Sequence, residues 1–406
     1  MQQTEARKKR QMLVITGAYG FYYMGYTSAF SFMMVFLTSS GYKDAQTGII
    51  YSLMALMSLI TQPILGFLSD SKIPIKKLVL CLLAAAIPFG FVLPVAARSY
   101  ALVTASVLIL AFFDQSLMVL MDSWTYMARE QNDKIVYSVA RGMGSFTSAI
   151  TGLIMGRAIA GFGAASIFWF HAGFMAVALI IALCFDSVPC KNKTSSESGV
   201  QGYSLPQAFG VLCRNKKYML MLGGLLLLNI GNRAVVTYLP MMIRNFGGGA
   251  AEQGLSITML TIGIFPVMLV YPYLARRFRV EKLLSVACVL VVCRVLSMAV
   301  VNDLHVVVYM QLLEALAFGL YNPSLIEYTS QIAPAQLRSS AITISSAVQV
   351  AVCGIVGNML ASAFMQFWSL KAMYTVYTVM AVLGLVLMAA SIKTPHNTAK
   401  KQEVAA

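Results

Sequence analysis

Charge is scarce in this chain. Charged side chains make up 11% of its 406 residues, where soluble domains carry about 25%. Acidic residues are the rarer sign, 15 against 30 Lys and Arg, for a net charge of +15. With 59% apolar residues beside so little charge, a water-soluble domain of this length is excluded. A basic balance alone can mark a nucleic-acid binder. Here, however, Lys and Arg sit in short segments between apolar runs and form no stripe on a soluble domain, so no nucleic-acid partner is expected. Histidine is also rare. His171, His305 and His396 have no metal-ligand spacing, and none lies clearly mid-cavity. The seven cysteines form no CxxC pair and mostly lie inside apolar runs. They read as small packing residues, with no metal site or disulfide framework. No GxxxxGK[ST] phosphate loop is present, which argues against ATP-driven transport, and no cofactor is expected. No His/Glu/Asp cluster or Ser/His pair marks an enzyme. No cleavable signal peptide is expected: Lys8, Lys9 and Arg10 precede an apolar run too long for a signal core.

What the chain has is apolar length. Twelve runs reach the roughly 20 residues needed to cross a bilayer as a helix. Their approximate bounds are 12–37, 46–69, 78–98, 101–128, 136–162 and 165–186, then 218–244, 251–275, 282–301, 304–331, 338–365 and 370–392. Helix is forced there, because every backbone N–H and C=O must be satisfied within its own segment. The expected fold is therefore an all-α membrane protein of twelve transmembrane helices, in two six-helix halves around a central cavity. The expected layout is an N-terminal bundle over 1–186, a polar linker over 187–217, a C-terminal bundle over 218–392 and a tail over 393–406. The linker is rich in Ser, Lys and Asn and reads as flexible.

Orientation follows from Lys and Arg in the short loops. With the N-terminus in the cytoplasm, about 22 of them fall inside and about five outside. Both termini are expected in the cytoplasm, in a multi-pass protein of the plasma membrane (the inner membrane if bacterial). The halves also repeat a feature. A basic turn follows the second span in each, as Ser69-Asp70-Ser71-Lys72 before Lys76-Lys77 and as Ala275-Arg276-Arg277-Phe278-Arg279. Parallel repeats of this kind mark carriers that rock around a central site.

Gly66-x-Leu68-x-Asp70 before a basic turn, at the end of the second of twelve helices, resembles the loop motif of the major facilitator superfamily. The usual Gly-Arg-Arg ending stands here as Ile75-Lys76-Lys77. Within the superfamily the chain resembles the proton-coupled branch with lactose permease, nucleoside permeases and phenylpropionate permeases. Tyr23-Met24-Gly25-Tyr26 with Phe30 and Phe36 is similar to that branch's aromatic first helix. Tyr137 to Gly144 is similar to the start of its fifth helix, where an arginine binds substrate. Arg294 lies mid-span in the ninth helix, and Leu312 to Leu320 resembles the tenth-helix run, with Glu314 where a histidine often stands. Two departures matter. Ser148, with Phe146 nearby, stands in place of the aromatic sugar platform, and Ala317 replaces a carboxylate central to proton release in lactose permease. The resemblance implies the major facilitator fold and proton-coupled symport of a small organic solute, a sugar, nucleoside or aromatic acid. Drug/proton antiport and a transporter-like membrane sensor are the competing readings. A monomer is expected, with solute, protons and the bilayer as its partners.

Ionisable groups within the spans are costly, roughly 2.5–3.5 kcal/mol each at the bilayer centre, and are functional candidates for that reason. Asp122 and Arg141 match in depth and are candidates for binding solute, with Arg233, Asn229, Asn232, Tyr26 and Trp124. Trp124 would stack a ring or anchor the interface, and the two asparagines would bind solute or hold helices together. Glu314, Arg294 and Asp114 are candidates for proton coupling. Arg294 is about 18 Å from the cytoplasmic end of its helix and Glu314 about 15 Å from the outer end of the next, so they can pair near the midplane. Asp70, Lys76 and Lys77 form a cytoplasmic gate or simply obey the positive-inside rule. Tyr19, Tyr22, Tyr23 and Tyr26, at i, i+3, i+4 and i+7, share one helix face. That face reads as the lining of a polar cavity. Gly152 and Gly156 read as a close helix contact.

Overall fold

The computed structural model describes the backbone of residues 2–71, 74–132, 134–185, 210–334 and 337–394, with side chains throughout except at 2–4, 62–71, 126, 130, 131, 138, 339 and 340. All regular structure among these residues is helical. The N-terminal half holds α1 (Gln2–Phe30), α2 (Met33–Ser39), α3 (Asp44–Ser71), α4 (Ile75–Ala86), α5 (Phe89–Ala96), α6 (Tyr100–Gln131), α7 (Tyr137–Phe162) and α8 (Ser166–Leu183). The C-terminal half holds α9 (Lys216–Asn245), α10 (Ala250–Ile262), α11 (Ile264–Arg277), α12 (Val280–Val300), α13 (Leu304–Tyr309) and α14 (Leu312–Ile332). It continues with α15 (Arg338–Ala347), a π-helical turn (Val348–Val352), α16 (Cys353–Phe367) and α17 (Leu370–Lys393). Most of the expected linker lies outside the described residues.

Nine segments among the described residues are both long and apolar enough to cross a membrane. The other three expected spans fall on α1–α2, α3 and α7. The shortest of these three long helices, α7, has 26 residues, or about 39 Å of rise, which exceeds the roughly 30 Å hydrocarbon core. α1 and α7 are less apolar for a visible reason. α1 carries four tyrosines on one face, and α7 is built largely from Gly, Ser, Thr and Ala with two arginines. Both belong to the lining of the interior.

Several spans are broken mid-course. α4 gives way to α5 around Pro88, which has no N–H to continue the ladder. α10 passes to α11 at Gly263, and α13 to α14 at Met310 and Gln311. Broken backbone is tolerated at membrane depth only where protein or a cavity satisfies it. The lipid face is plain in α17: Val379, Leu383 and Val386 are each more than half exposed. In water such a stripe would drive association.

Each half has its own core. In the N-terminal half α1 packs along α7 and α8, and α3 along α6. In the C-terminal half α9 packs along α17, and α12 against α14 and α17. Between the halves run two long contacts, α7 with α10 and α3 with α16. Small residues make the first possible. A Cβ on Gly152 would come 2.6 Å from the Gly254 carbonyl oxygen, and one on Gly156 2.8 Å from that of Ala250. The expected close packing at Gly152 and Gly156 is thus a contact between the two halves.

Among the described residues, several hydrogen bonds between the halves lie toward the end away from the termini. Thr258 Oγ1 donates to the Ala149 carbonyl at 2.8 Å, and Ser362 Oγ to the Ala45 carbonyl at 2.8 Å. Gln253 Nε2 donates to the Ser31 carbonyl at 3.4 Å, and Arg244 pairs with Asp44 at 2.9 Å. These contacts tie the halves at that end.

Candidate functional site

In the C-terminal half, α12 brings Arg294 into a fully buried position opposite α14 and α9. Its Nη1 donates to Asn232 Oδ1 at 2.5 Å and to Glu314 Oε2 at 3.2 Å. Its Nη2 and Nε donate to Gln311 Oε1 at 2.7 and 3.3 Å. Asn232 Nδ2 closes the ring by donating to Glu314 Oε1 at 3.2 Å. The expected Arg294–Glu314 pair is formed, and two amides saturate it. A buried charge needs this treatment, because the desolvation of each ion costs several kcal/mol. Gln311 escapes sequence reading because an amide at a helix break carries no charge signal. The Glu314 side chain keeps 11% exposure, so the network meets the cavity through its carboxylate. Asn229 takes no part. It donates to the Leu225 carbonyl at 2.9 Å and to the Tyr321 hydroxyl at 3.0 Å. Arg233 lies nearer the interface of the halves, where its Nε donates to the Gln349 carbonyl at 3.4 Å, within the π-helical turn.

In the N-terminal half the tyrosine face of α1 divides in two. Tyr19 and Tyr22 are fully buried, while Tyr23 and Tyr26 are partly open. Tyr19 donates to the Asp122 carboxylate, and Tyr22 donates to the Asp114 backbone carbonyl at 2.7 Å. The Tyr23 ring lies 6.0 Å from that of Tyr19, nearly parallel to it, and the Arg141 guanidinium sits 5.1 Å above the Tyr23 centroid. Arg over a tyrosine face is an attractive cation–π arrangement. Asp122 and Arg141 form no ion pair among the described residues, and the Nη1 of Arg141 is shielded from solvent with no hydrogen-bond partner. A donor left bare in the protein interior is expensive.

Asp114 and His171 occupy a second buried position, between α6 and α8. Both are fully buried, and His171 Nε2 lies 3.7 Å from Asp114 Oδ2. The histidine, which shows no pattern in sequence, therefore faces one of the interior carboxylates.

Matching over residues 12–392 is the family model described as "MFS_1 like family". The chain belongs to the major facilitator superfamily. Among curated relatives, a maltose permease of Geobacillus stearothermophilus is 24% identical over 373 residues, covering 90% of this chain and 91% of the relative. An uncharacterized transporter of Bacillus subtilis (strain 168), YwbF, is 20% identical over 393 residues, covering 96% and 95%. Among solved structures, the nucleoside transporter NupG superposes with a TM-score of 0.77 at 14% identity, covering 96% of this chain and all of that one. A POT family peptide transporter reaches 0.70 at 13% identity, covering 96% of this chain and 98% of that one. At these identities the structural likeness speaks for the fold.

With the superfamily established, the remaining candidates can be placed. Trp124 is fully buried in the N-terminal core, edge-on to Phe185 at 5.0 Å between centroids. It therefore packs in the core away from the cavity wall and from the interface. Ser148 accepts from Thr27 Oγ1 at 2.8 Å, which joins α7 to α1, and Phe146 is exposed on the outer face of α7. Neither supplies an aromatic platform. At the loop motif, the Asp70 side chain lies outside the described residues. Lys76 Nζ binds the Phe185 carbonyl and, at 3.3 Å, that of Leu183. It caps the last turn of α8 in its own half, where a cation suits the helix C-terminus. Lys77 is exposed.

Proposed function

We infer that this transporter is a proton symporter of a hydroxyl-rich organic solute, an oligosaccharide or a nucleoside. The observation that carries this reading is the Arg141 guanidinium above the ring of Tyr23, its Nη1 without a hydrogen-bond partner, with the Asp122 carboxylate bonded to the neighbouring Tyr19. A fork of N–H donors, a carboxylate acceptor and aromatic faces suit a ring that bears hydroxyls. The hydroxyls give and take hydrogen bonds, and the C–H face lies on the tyrosines. The Asp122 carboxylate, which like Arg141 acts on Tyr19, disfavours an anionic aromatic acid. The 24% identity to a maltose permease and the fold likeness to a nucleoside transporter support the same classes. Interior carboxylates at Asp114, Asp122 and Glu314 support coupling to protons.

In this reading Arg141, Asp122, Tyr26 and Arg233 hold the solute between the halves. The halves, over 1–186 and 218–392, rock about it. The termini and the 187–217 linker face the cytoplasm, by the charge of the loops. The test is uptake by the purified protein in liposomes, with a proton gradient of either direction, against a panel of maltooligosaccharides, nucleosides and aromatic acids. Accumulation of a sugar or nucleoside when the outside is acid is the expected result. Gradient-independent equilibration alone, or accumulation only of aromatic acids, would refute it.

A further inference from the structure

Asp114 and His171 lie 3.7 Å apart at positions with no solvent exposure. Neither carboxylate oxygen of Asp114 has a hydrogen-bond partner, and neither does His171 Nε2. The other ring nitrogen, Nδ1, lies 3.1 Å from the Gly25 carbonyl. A carbonyl only accepts, so Nδ1 carries a hydrogen. Three atoms that bind protons therefore face one another in the dry interior of α1, α6 and α8, with one shared proton needed to settle them. Without it the site is a bare carboxylate beside a neutral imidazole, with net charge −1. With one proton it is neutral, whether the proton sits on the carboxyl or makes the imidazolium. With two it carries +1. A charge buried without partners is strongly disfavoured, so the one-proton form is the stable form while the site stays dry.

The surroundings do not supply the missing charge. From α1, Tyr22 and Tyr26 face Asp114, and Tyr22 is engaged with its backbone carbonyl. From α7, the nearest charge is Arg141, which reaches Tyr22. α3 and α4 bring acidic and basic residues only near their ends (Asp44 and Asp70, Lys76 and Lys77), and α5 brings none. Tyr26 lies within electrostatic reach of both Asp114 and Arg233 of the other half. It thus stands between this site and the cavity.

We propose that Asp114 and His171 form a buried site for one proton, and that this is the proton that drives uptake. The inference rests on the symport reading for the second clause alone. One proton enters from the side to which the cavity is open and takes the site from −1 to neutral. The same proton leaves when the site is next hydrated from the opposite side. Nothing is oxidised and no other bond changes.

The test is infrared titration of the full chain in lipid, read at the C=O stretch of protonated carboxyls, beside transport in the same liposomes. In His171→Gln the proton has only the carboxyl to occupy, so a buried-carboxyl band should grow. It should vanish in the double variant with Asp114→Asn. Asp114→Asn alone cannot carry the negative charge and, with His171 neutral, mimics the one-proton form. It should exchange solute at near wild-type rate but lose accumulation under a proton gradient by about tenfold or more. A band that survives Asp114→Asn, or normal uphill accumulation by that variant, overturns the proposal. If Asp114→Asn is lost from the membrane, His171→Gln decides alone, and the absence of any buried protonated-carboxyl band in that variant overturns it. If the wild type accumulates nothing under a proton gradient while the infrared result holds, the symport reading fails and the proton site stands.

Discussion

Arg294 and Glu314 lie 3.2 Å apart, and the arginine side chain is sealed from solvent while that of Glu314 keeps 11% exposure. The two ends of one ion pair thus have different surroundings. Arg294 has four hydrogen bonds, to Asn232, Gln311 and Glu314, and cannot leave without stranding all three partners. Glu314 has two.

The asymmetry sets the first expectation. Arg294→Met leaves a buried carboxylate without its cation and should cost about 3–5 kcal/mol of stability. Glu314→Gln keeps the shape and one acceptor for Arg294, and should cost less, about 1–3 kcal/mol. The double variant Arg294→Met/Glu314→Gln should melt above Arg294→Met alone. Thermal unfolding in detergent, followed by intrinsic fluorescence, checks the order. Equal melting of both single variants would mean that the network does not depend on the charge of Glu314.

Arg141 is expected to behave in the opposite way. It has no ion pair to lose, so Arg141→Lys should leave the melting temperature nearly unchanged. Solute affinity should fall by about tenfold or more, because lysine keeps the charge but not the planar fork that bonds two acceptors and stacks on a ring. Tyr23→Leu should weaken binding similarly by removing the face beneath the guanidinium. Equilibrium binding of the accumulated solute to the purified variants measures both.

The helical membrane fold and its long apolar spans were legible because the bilayer forces apolar length and the hydrophobic signal needs no partner to be read. The Arg294–Glu314 pair was legible too, since both charges are conspicuous in apolar runs and helix rise places them at one depth. What sequence could not give was direction around the helix axis. Trp124 and Asp122 are two residues apart, yet one is core and the other meets Tyr19. His171 stayed hidden because a lone histidine acquires meaning only from the helix opposite. Gln311 and Gln349 stayed hidden because neutral amides are common and their partners are far away in sequence.

Topology gives the third expectation. A single cysteine placed in the 187–217 segment of a cysteine-free chain should react with a membrane-impermeant maleimide in inside-out vesicles and not in intact cells. The same probe at position 303, in the short connection before α13, should show the reverse. Labelling of the segment from outside would invert the orientation deduced from about 22 inside and five outside Lys and Arg.

The last expectation concerns how the halves are held shut at the end away from the termini. Besides the hydrogen bonds already described, the Arg244–Asp44 ion pair and the glycine contact of α7 with α10 close it. Their magnitudes differ. The arginine side chain is 50% exposed and the aspartate 21%, and such pairs contribute about 0–1 kcal/mol. Arg244→Ala should therefore change transport by less than about fivefold. The glycines have no such tolerance. A Cβ on Gly254 would overlap the Gly152 carbonyl oxygen, and backbone cannot swing aside as a side chain can. Gly254→Val should then hold the two helices apart and favour the conformation open at that end. A cysteine at Ala149, whose carbonyl now accepts from Thr258, is the reporter. It should react with an impermeant thiol reagent from the far side several-fold faster in Gly254→Val than in the parent, with transport reduced. Unchanged reactivity together with normal transport would show that the α7–α10 contact gives way at little cost.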